Sequence, residues 1–262
     1  MVERPGRVEG KVCVVTGGAG AIGAATAEAL AAEGASVVVA DLDLAAAQAV
    51  AAGIADAEGT AVDVTDDASV AALYAGVAAR HGRVDVCVNN AAILHPEDVD
   101  PVSTPLDVWH RVLAVNLTGV FLCLKHGLPH VIAAGGGSIV NLASMTALIG
   151  SATPQIAYGA AKGGVTAMTR ECAVTYAQEG VRVNCVAPGP IETPLYRVIF
   201  GNDPDAIARR RRHIPFGRVG RVEEVAQAIL HLAGDESSYV TGTTYVVDGG
   251  ITVAYTTQGD EQ

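Results

Sequence analysis

The feature that most constrains this chain is an alternation of short β-branched runs, apolar almost throughout, with longer alanine-rich stretches. The runs fall at residues 12–15, 36–40, 60–64, 84–88, 138–142, 181–186 and 244–247. A strand that is apolar at every position, and not at every second one, is covered on both faces, as in a parallel sheet. The stretches between them carry helical spacing and predict helices over residues 22–32, 44–52, 67–80, 105–133, 158–178 and 222–232. Repeated strand-helix units joined by right-handed crossovers give a doubly wound α/β fold, a seven-stranded parallel sheet with helices on both faces. The 262 residues contain no Pro-, Gly- or Ser-rich linker and no repeat of fixed period, so one domain is expected over residues 1–262. The irregular stretch 188–221 is too long for a routine connection and reads as a substrate lid, followed at the end by a short C-terminal tail.

Composition narrows the functional classes. A net charge of −11 opposes nucleic-acid binding, which needs a basic face, and the basic run Arg209 to Arg212 is short enough to be a solvated helix face. The five cysteines stand singly, so reduced thiols are expected, with neither a disulfide framework nor a clustered metal site. Residues 1–10 carry charges and no apolar core of a secretory signal, and no uninterrupted apolar stretch reaches about 18 residues. The expectation is a cytoplasmic protein with no metal, no membrane span and no nucleic-acid partner.

The first predicted strand runs into Thr16-Gly17-Gly18-Ala19-Gly20-Ala21-Ile22-Gly23 and then a helix. Glycines there let the backbone turn and approach a pyrophosphate, whose charge the helix N-terminus favours. The motif is weak alone in a chain with 30 glycines, and its place between first strand and first helix is what strengthens it. Asp41 closes the second strand, where a carboxylate can accept both adenosine ribose hydroxyls and repels a 2′-phosphate. No Lys or Arg stands in the glycine loop or directly after Asp41, so the cofactor expected is NAD and not NADP. Asp43 is the better candidate to cap the following helix.

Tyr158 and Lys162, four residues apart, share one face of a predicted helix. A free tyrosine titrates near 10, and lowering it to about 7 takes roughly 4 kcal/mol. One ammonium at about 4–5 Å, with an effective dielectric near 20, supplies about 3–4 kcal/mol. The pair therefore suits proton transfer, with Tyr158 as acid/base and Lys162 lowering its pKa. A lone Tyr-x-x-x-Lys is common and would by itself be a surface helix.

Several further motifs stand in order along the chain: Asp63-Val64, Asn89-Asn90-Ala91-Ala92, Asn116, Ser144, Pro188-Gly189 and Val247-Asp248-Gly249-Gly250. With the glycine loop and the Tyr158/Lys162 pair, the sequence resembles the short-chain dehydrogenase/reductase family over about residues 10–250. The resemblance implies a single-domain Rossmann fold and a hydride transfer between a secondary alcohol, or its ketone, and NAD(H). It implies that Ser144 binds the substrate oxygen, that Tyr158 exchanges the proton and that Lys162 also holds the nicotinamide ribose. Asn116 would hold a water linking Lys162 to solvent. Gly17, Gly20, Ala21, Ile22, Asp41, Leu42, Asp63, Val64, Asn90 and Ala91 would line the cofactor groove, and Asn89 would bond between strands. Backbone at Pro188, Gly189 and Ile191, with Thr193, would grip the nicotinamide end.

Three departures from the family pattern stand out. Ala21 and Ala92 replace glycines, and 14 positions, one more than is usual, separate Ser144 from Tyr158. The extra residue is expected to bulge beside the substrate, where His95, Met145, Gln155 and Tyr196 are the candidate contacts. A small-molecule alcohol or ketone is the expected partner. Alternatives are an NADPH-dependent ketone or 3-oxoacyl reductase, which the absence of a basic docking patch disfavours, and a non-catalytic dinucleotide-binding regulator. Alanine-rich helices over 105–133 and 158–178 suit close packing between subunits, and the resemblance implies a homotetramer or homodimer.

Overall fold

The computed structural model describes residues 6–151, 153–194, 196, 208 and 211–255. Its sheet has seven parallel strands in the order β3-β2-β1-β4-β5-β6-β7. The strands are β1 (Val12–Thr16), β2 (Ser36–Asp41), β3 (Ala57–Ala61), β4 (Val86–Asn89), β5 (Gly137–Leu142), β6 (Val181–Pro188) and β7 (Thr244–Val247). Chain direction along the sheet reverses between β1 and β4, the switch point at which a crevice opens at the carboxyl edge.

Alternate residues of the apolar runs serve the two faces. Val12, Val14, Val38 and Ala40 pack against α3 (Asp67–His81), α5 (Gly119–Ala133) and α6 (Ile156–Tyr176). Cys13, Val15, Val37 and Val39 pack against α1 (Ala21–Ala32), α2 (Leu44–Ala51) and the helix α7 (Val222–Ala233). Small side chains let the helices approach closely: Gly59 lies so near α2 that a Cβ would sit 2.5 Å from Gln48 N. All five cysteines are free, and Cys13, Cys87, Cys123 and Cys185 are buried.

Two elements differ from expectation. β3 covers Ala57–Ala61, not 60–64, because it is an edge strand registered on β2 from Val37↔Ala57 to Asp41↔Ala61. Val62 and Val64 are buried beyond its end, so their burial imitates a strand that the hydrogen bonds do not extend. The helix expected over 105–133 is α4 (Leu106–Leu113) and α5 joined by a π turn at Ala114–Thr118, which contains Asn116. The segment Leu106–Ala133 is long and apolar enough to cross a membrane, with a mean hydropathy of 1.4, yet 56% of its apolar window is buried inside the domain. That is the behaviour of a core helix.

Much of the expected lid, at residues 195, 197–207 and 209–210, lies outside the described residues, as do Arg209 and Arg210 of the basic run and the tail beyond 255. The described ends of the stretch 188–221 meet. Ile191 and Gly220 form a parallel bridge, Glu192 N donates to Gly220 O at 2.8 Å and Gly220 N donates to Pro190 O at 2.9 Å.

Candidate active site

The motif residues that end or directly follow strands fall at the carboxyl edge of the sheet. Thr16 ends β1, Asp41 ends β2, Asp63 and Val64 follow β3, and Asn89 ends β4 with Asn90 next. Ser144 follows β5, and Pro188 ends β6.

The glycine loop fits a dinucleotide. Gly17 has φ +62°, a left-handed conformation that suits glycine, and a Cβ there would meet Ala91 Cα at 2.7 Å. A Cβ on Gly23 would lie 2.2 Å from Gly17 O, so the third glycine lets α1 close on the loop. α1 has Gly20 at its N-cap position, no capping side chain and no acidic residue in its first turn, which leaves its first amides, from Ala21 and Ile22 onward, for an anion. Asp41 Oδ2 accepts from Ala19 N at 3.0 Å, joining the end of β2 to the loop. Asp43, not Asp41, caps α2 by accepting from Ala46 N at 3.1 Å. Leu42 is 66% exposed beside them.

Three amides are already engaged by the protein. Asn90 Nδ2 donates to Thr16 O (3.0 Å) and Gly17 O (2.9 Å), so it braces the glycine loop. Asn89 Nδ2 donates to Asn141 Oδ1 at 2.8 Å, the expected bond between β4 and β5. Asn116 Oδ1 accepts from Ile93 N and its Nδ2 donates to Ile93 O, both at 2.9 Å. These bonds tie the Asn116 side chain to the loop after β4. Asp63 accepts from the amide (2.9 Å) and hydroxyl (2.6 Å) of Thr65, which hold its carboxyl below the usual range.

Ser144, Tyr158 and Lys162 converge. Tyr158 stands in the first turn of α6, and its hydroxyl interacts with the Ser144 side chain. Lys162 Nζ lies 5.5 Å from the Tyr158 ring centroid. The ammonium donates to Leu142 O at 2.7 Å, and the residue is only 1% exposed. Burial pushes the lysine from its ordinary 10.5 to about 8. Burial also pushes the Tyr158 phenol up, with the Ser144 hydrogen bond opposing it. The expected lowering of the tyrosine is therefore not present in the protein alone: desolvation outweighs the hydrogen bond.

Around this centre, Ser144 Oγ accepts from Thr146 N at 3.2 Å and starts a 3₁₀ turn at Met145–Ala147 that packs against α6. Thr146 Oγ1 is buried without a partner. His95 Nδ1 accepts from Glu97 N at 3.2 Å, and Tyr196 N donates to Thr193 Oγ1 at 3.0 Å. Gln155 is the N-cap residue of α6 but makes no capping bond. Gly189 abuts Asp248, where a Cβ would fall 2.7 Å from its Cα, and Ile191 is buried. Sequence reasoning missed Asp98, a buried carboxylate bonded to the amides of Ala157 and Tyr158. Its partners are about 60 residues away, so no local pattern marks it.

A strand order that reverses between β1 and β4, a glycine loop opening a helix, and a Ser-Tyr-Lys cluster together define a nicotinamide-dinucleotide oxidoreductase fold. The family model described as enoyl-(acyl carrier protein) reductase matches residues 17–252. The chain is 48% identical over 248 residues to cis-4-hydroxycyclohexanecarboxylate dehydrogenase of Sinomonas cyclohexanicum, covering 92% of this chain and 96% of that one. It is 40% identical to the 3-oxoacyl-[acyl-carrier-protein] reductase of Thermotoga maritima, covering 94% and 100%. A solved short-chain dehydrogenase/reductase from Burkholderia xenovorans superposes with a TM-score of 0.89 at 41% identity, covering 95% and 99%. The chain belongs to the short-chain dehydrogenase/reductase family and is an oxidoreductase.

Proposed function

We propose that this protein is an NAD-dependent dehydrogenase of secondary alcohols, with a ring-borne hydroxyl as the favoured substrate class. The observation that carries the chemistry is the meeting of Ser144, Tyr158 and Lys162 at the sheet's carboxyl edge. A bound nicotinamide supplies the hydride acceptor. Ser144 Oγ donates to the substrate oxygen, and Tyr158 takes the hydroxyl proton as the carbonyl forms. The Lys162 ammonium, 5.5 Å from the ring centroid, favours the phenolate and so opposes the burial that raises the phenol.

Asp41 supports NAD, since its carboxylate beside the glycine loop faces where a 2′-phosphate would lie. The relative that acts on a hydroxycyclohexanecarboxylate supports the ring substrate. NADPH-linked reduction is the second reading, favoured by the likeness to a 3-oxoacyl reductase. The domain is read as one unit with a lid over 188–221, and as a cytoplasmic homotetramer or homodimer whose helices α4–α6 expose Leu106, Phe121 and Val174. Initial rates with cyclohexanol and hydroxycyclohexanecarboxylates, compared between NAD and NADP, test the reading. A clear preference for NADP sinks the Asp41 argument, and inactivity toward every secondary alcohol sinks the reaction.

A further inference from the structure

The helix that carries Tyr158 has no cap of its own. Gln155 makes no capping bond, and the first turn of α6 holds no acidic residue. The amides there are taken instead by the loop after β4. Ile156 N donates to Val99 O at 3.0 Å, Ala157 N to Asp98 Oδ1 at 2.8 Å, and Tyr158 N to Asp98 Oδ2 at 2.9 Å. Asp98 is 4% exposed, and no cation pairs with it among the described residues. Its charge is met by the positive end of the helix, through two charge-assisted bonds.

The loop that presents Asp98 is braced from within. Asp98 N donates to His95 O at 3.0 Å, Val99 N donates to Thr104 Oγ1 at 3.0 Å, and Thr104 Oγ1 donates to Asp100 O at 2.8 Å. Trp109 of α4 packs with Ala157 and Tyr158 against the same helix end. A Ser, Thr, Asp or Asn at position 155 would satisfy the helix locally. The chain instead uses a distant carboxylate, and one of its oxygens binds the amide of the tyrosine itself.

We infer that Asp98 is a positioning residue: it fixes the backbone of Tyr158 so that the phenol meets Ser144, and it ties that placement to the loop bearing His95. The inference rests on the reading of Tyr158 as the proton-transfer group. Asp98→Ala removes both acceptors, whereas Asp98→Asn keeps one. The measurements are kcat and KM for cyclohexanol, NADH affinity by fluorescence, and hydrogen exchange at the Ala157 and Tyr158 amides. Asp98→Ala is expected to lower kcat by about 10- to 100-fold, as a displacement of about 1 Å at a reacting group does. NADH affinity should stay within about twofold, exchange at the two amides should quicken, and Asp98→Asn should recover part of kcat. A kcat for the Ala variant within about threefold of the parent overturns the proposal. So does a loss confined to cofactor affinity, or an Asn variant no better than Ala. Should Asp98→Ala fail to fold, Asp98→Asn decides alone: undiminished kcat with unchanged exchange refutes the positioning role. A parent inactive toward every alcohol refutes the reaction and this role together, whereas slow, unchanged exchange in the variants refutes the cap alone.

Discussion

Lys162 is buried as a cation with one neutral acceptor, Leu142 O at 2.7 Å, and that placement makes a quantitative prediction about Lys162→Met. Its pKa falls from 10.5 to about 8 on folding. Below pH 8 the lysine is charged in both folded and unfolded chains, and the full penalty of burial is present. Above 10.5 it is neutral in both, and the penalty is gone. Between these values the unfolded chain binds more protons, so stability rises with pH. The size is about 3 kcal/mol at pH 7 and about 1 kcal/mol at pH 10. Methionine fills similar volume without charge but leaves the Leu142 carbonyl unbonded, a cost of about 1–2 kcal/mol that does not change with pH. The cofactor-free variant should therefore be about 1–2 kcal/mol more stable than the parent at pH 7 and about equal or weaker at pH 10. Urea unfolding of both proteins at equal concentration and several pH values measures the difference, and shared groups that titrate in this range cancel in it. A difference that stays constant within about 0.5 kcal/mol from pH 7 to 10 refutes the desolvated lysine.

Tyr158→Phe should lower kcat by about 10²–10⁴-fold with NADH affinity nearly unchanged, as removal of a general acid/base does; stopped-assay turnover and fluorescence titration check it. Gly23→Ala places a methyl 2.2 Å from Gly17 O, so α1 must back away from the loop. It should destabilise the protein by about 1–3 kcal/mol and weaken NADH binding at least about tenfold, measured by thermal unfolding and the same titration.

The strands and their parallel pairing were legible because burial on both faces leaves an uninterrupted apolar run, as in Val37–Val39 between β1 and β3. The glycine loop, Asp41, Tyr158 and Lys162 could be singled out because each pairs a residue type with a place relative to a strand or helix, whereas Ser144 stood out only through the family resemblance. The end of β3 was not, since Val62 and Val64 are buried without being paired and hydropathy does not separate the two conditions. The π turn hid for a similar reason: both halves of Leu106–Ala133 have helical spacing, and the irregularity between them leaves no signature in residue type. Asp98, Asn90 and Asn116 owe their roles to partners that only the folded chain brings near. The tyrosine's raised pKa is also a tertiary property, because desolvation depends on what surrounds the ring and not on a neighbour four residues away.

The π turn at Ala114–Thr118 also has a meaning for how this domain tolerates insertions and deletions. A π turn is a helix with one residue more than its span needs. Deleting Ala114 would restore a regular helix, and the chain would lose no length of fold. The flanking segments would keep their register, because the turn already absorbs the surplus residue: Val120 and Leu124 would stay on the sheet, and only the residues inside the turn, Asn116 among them, would shift. The surplus residue thus bears on the turn and not on the packing of its two flanks, so a single-codon deletion here should cost the bonds between Asn116 and Ile93 and leave the core contacts of both helices in place.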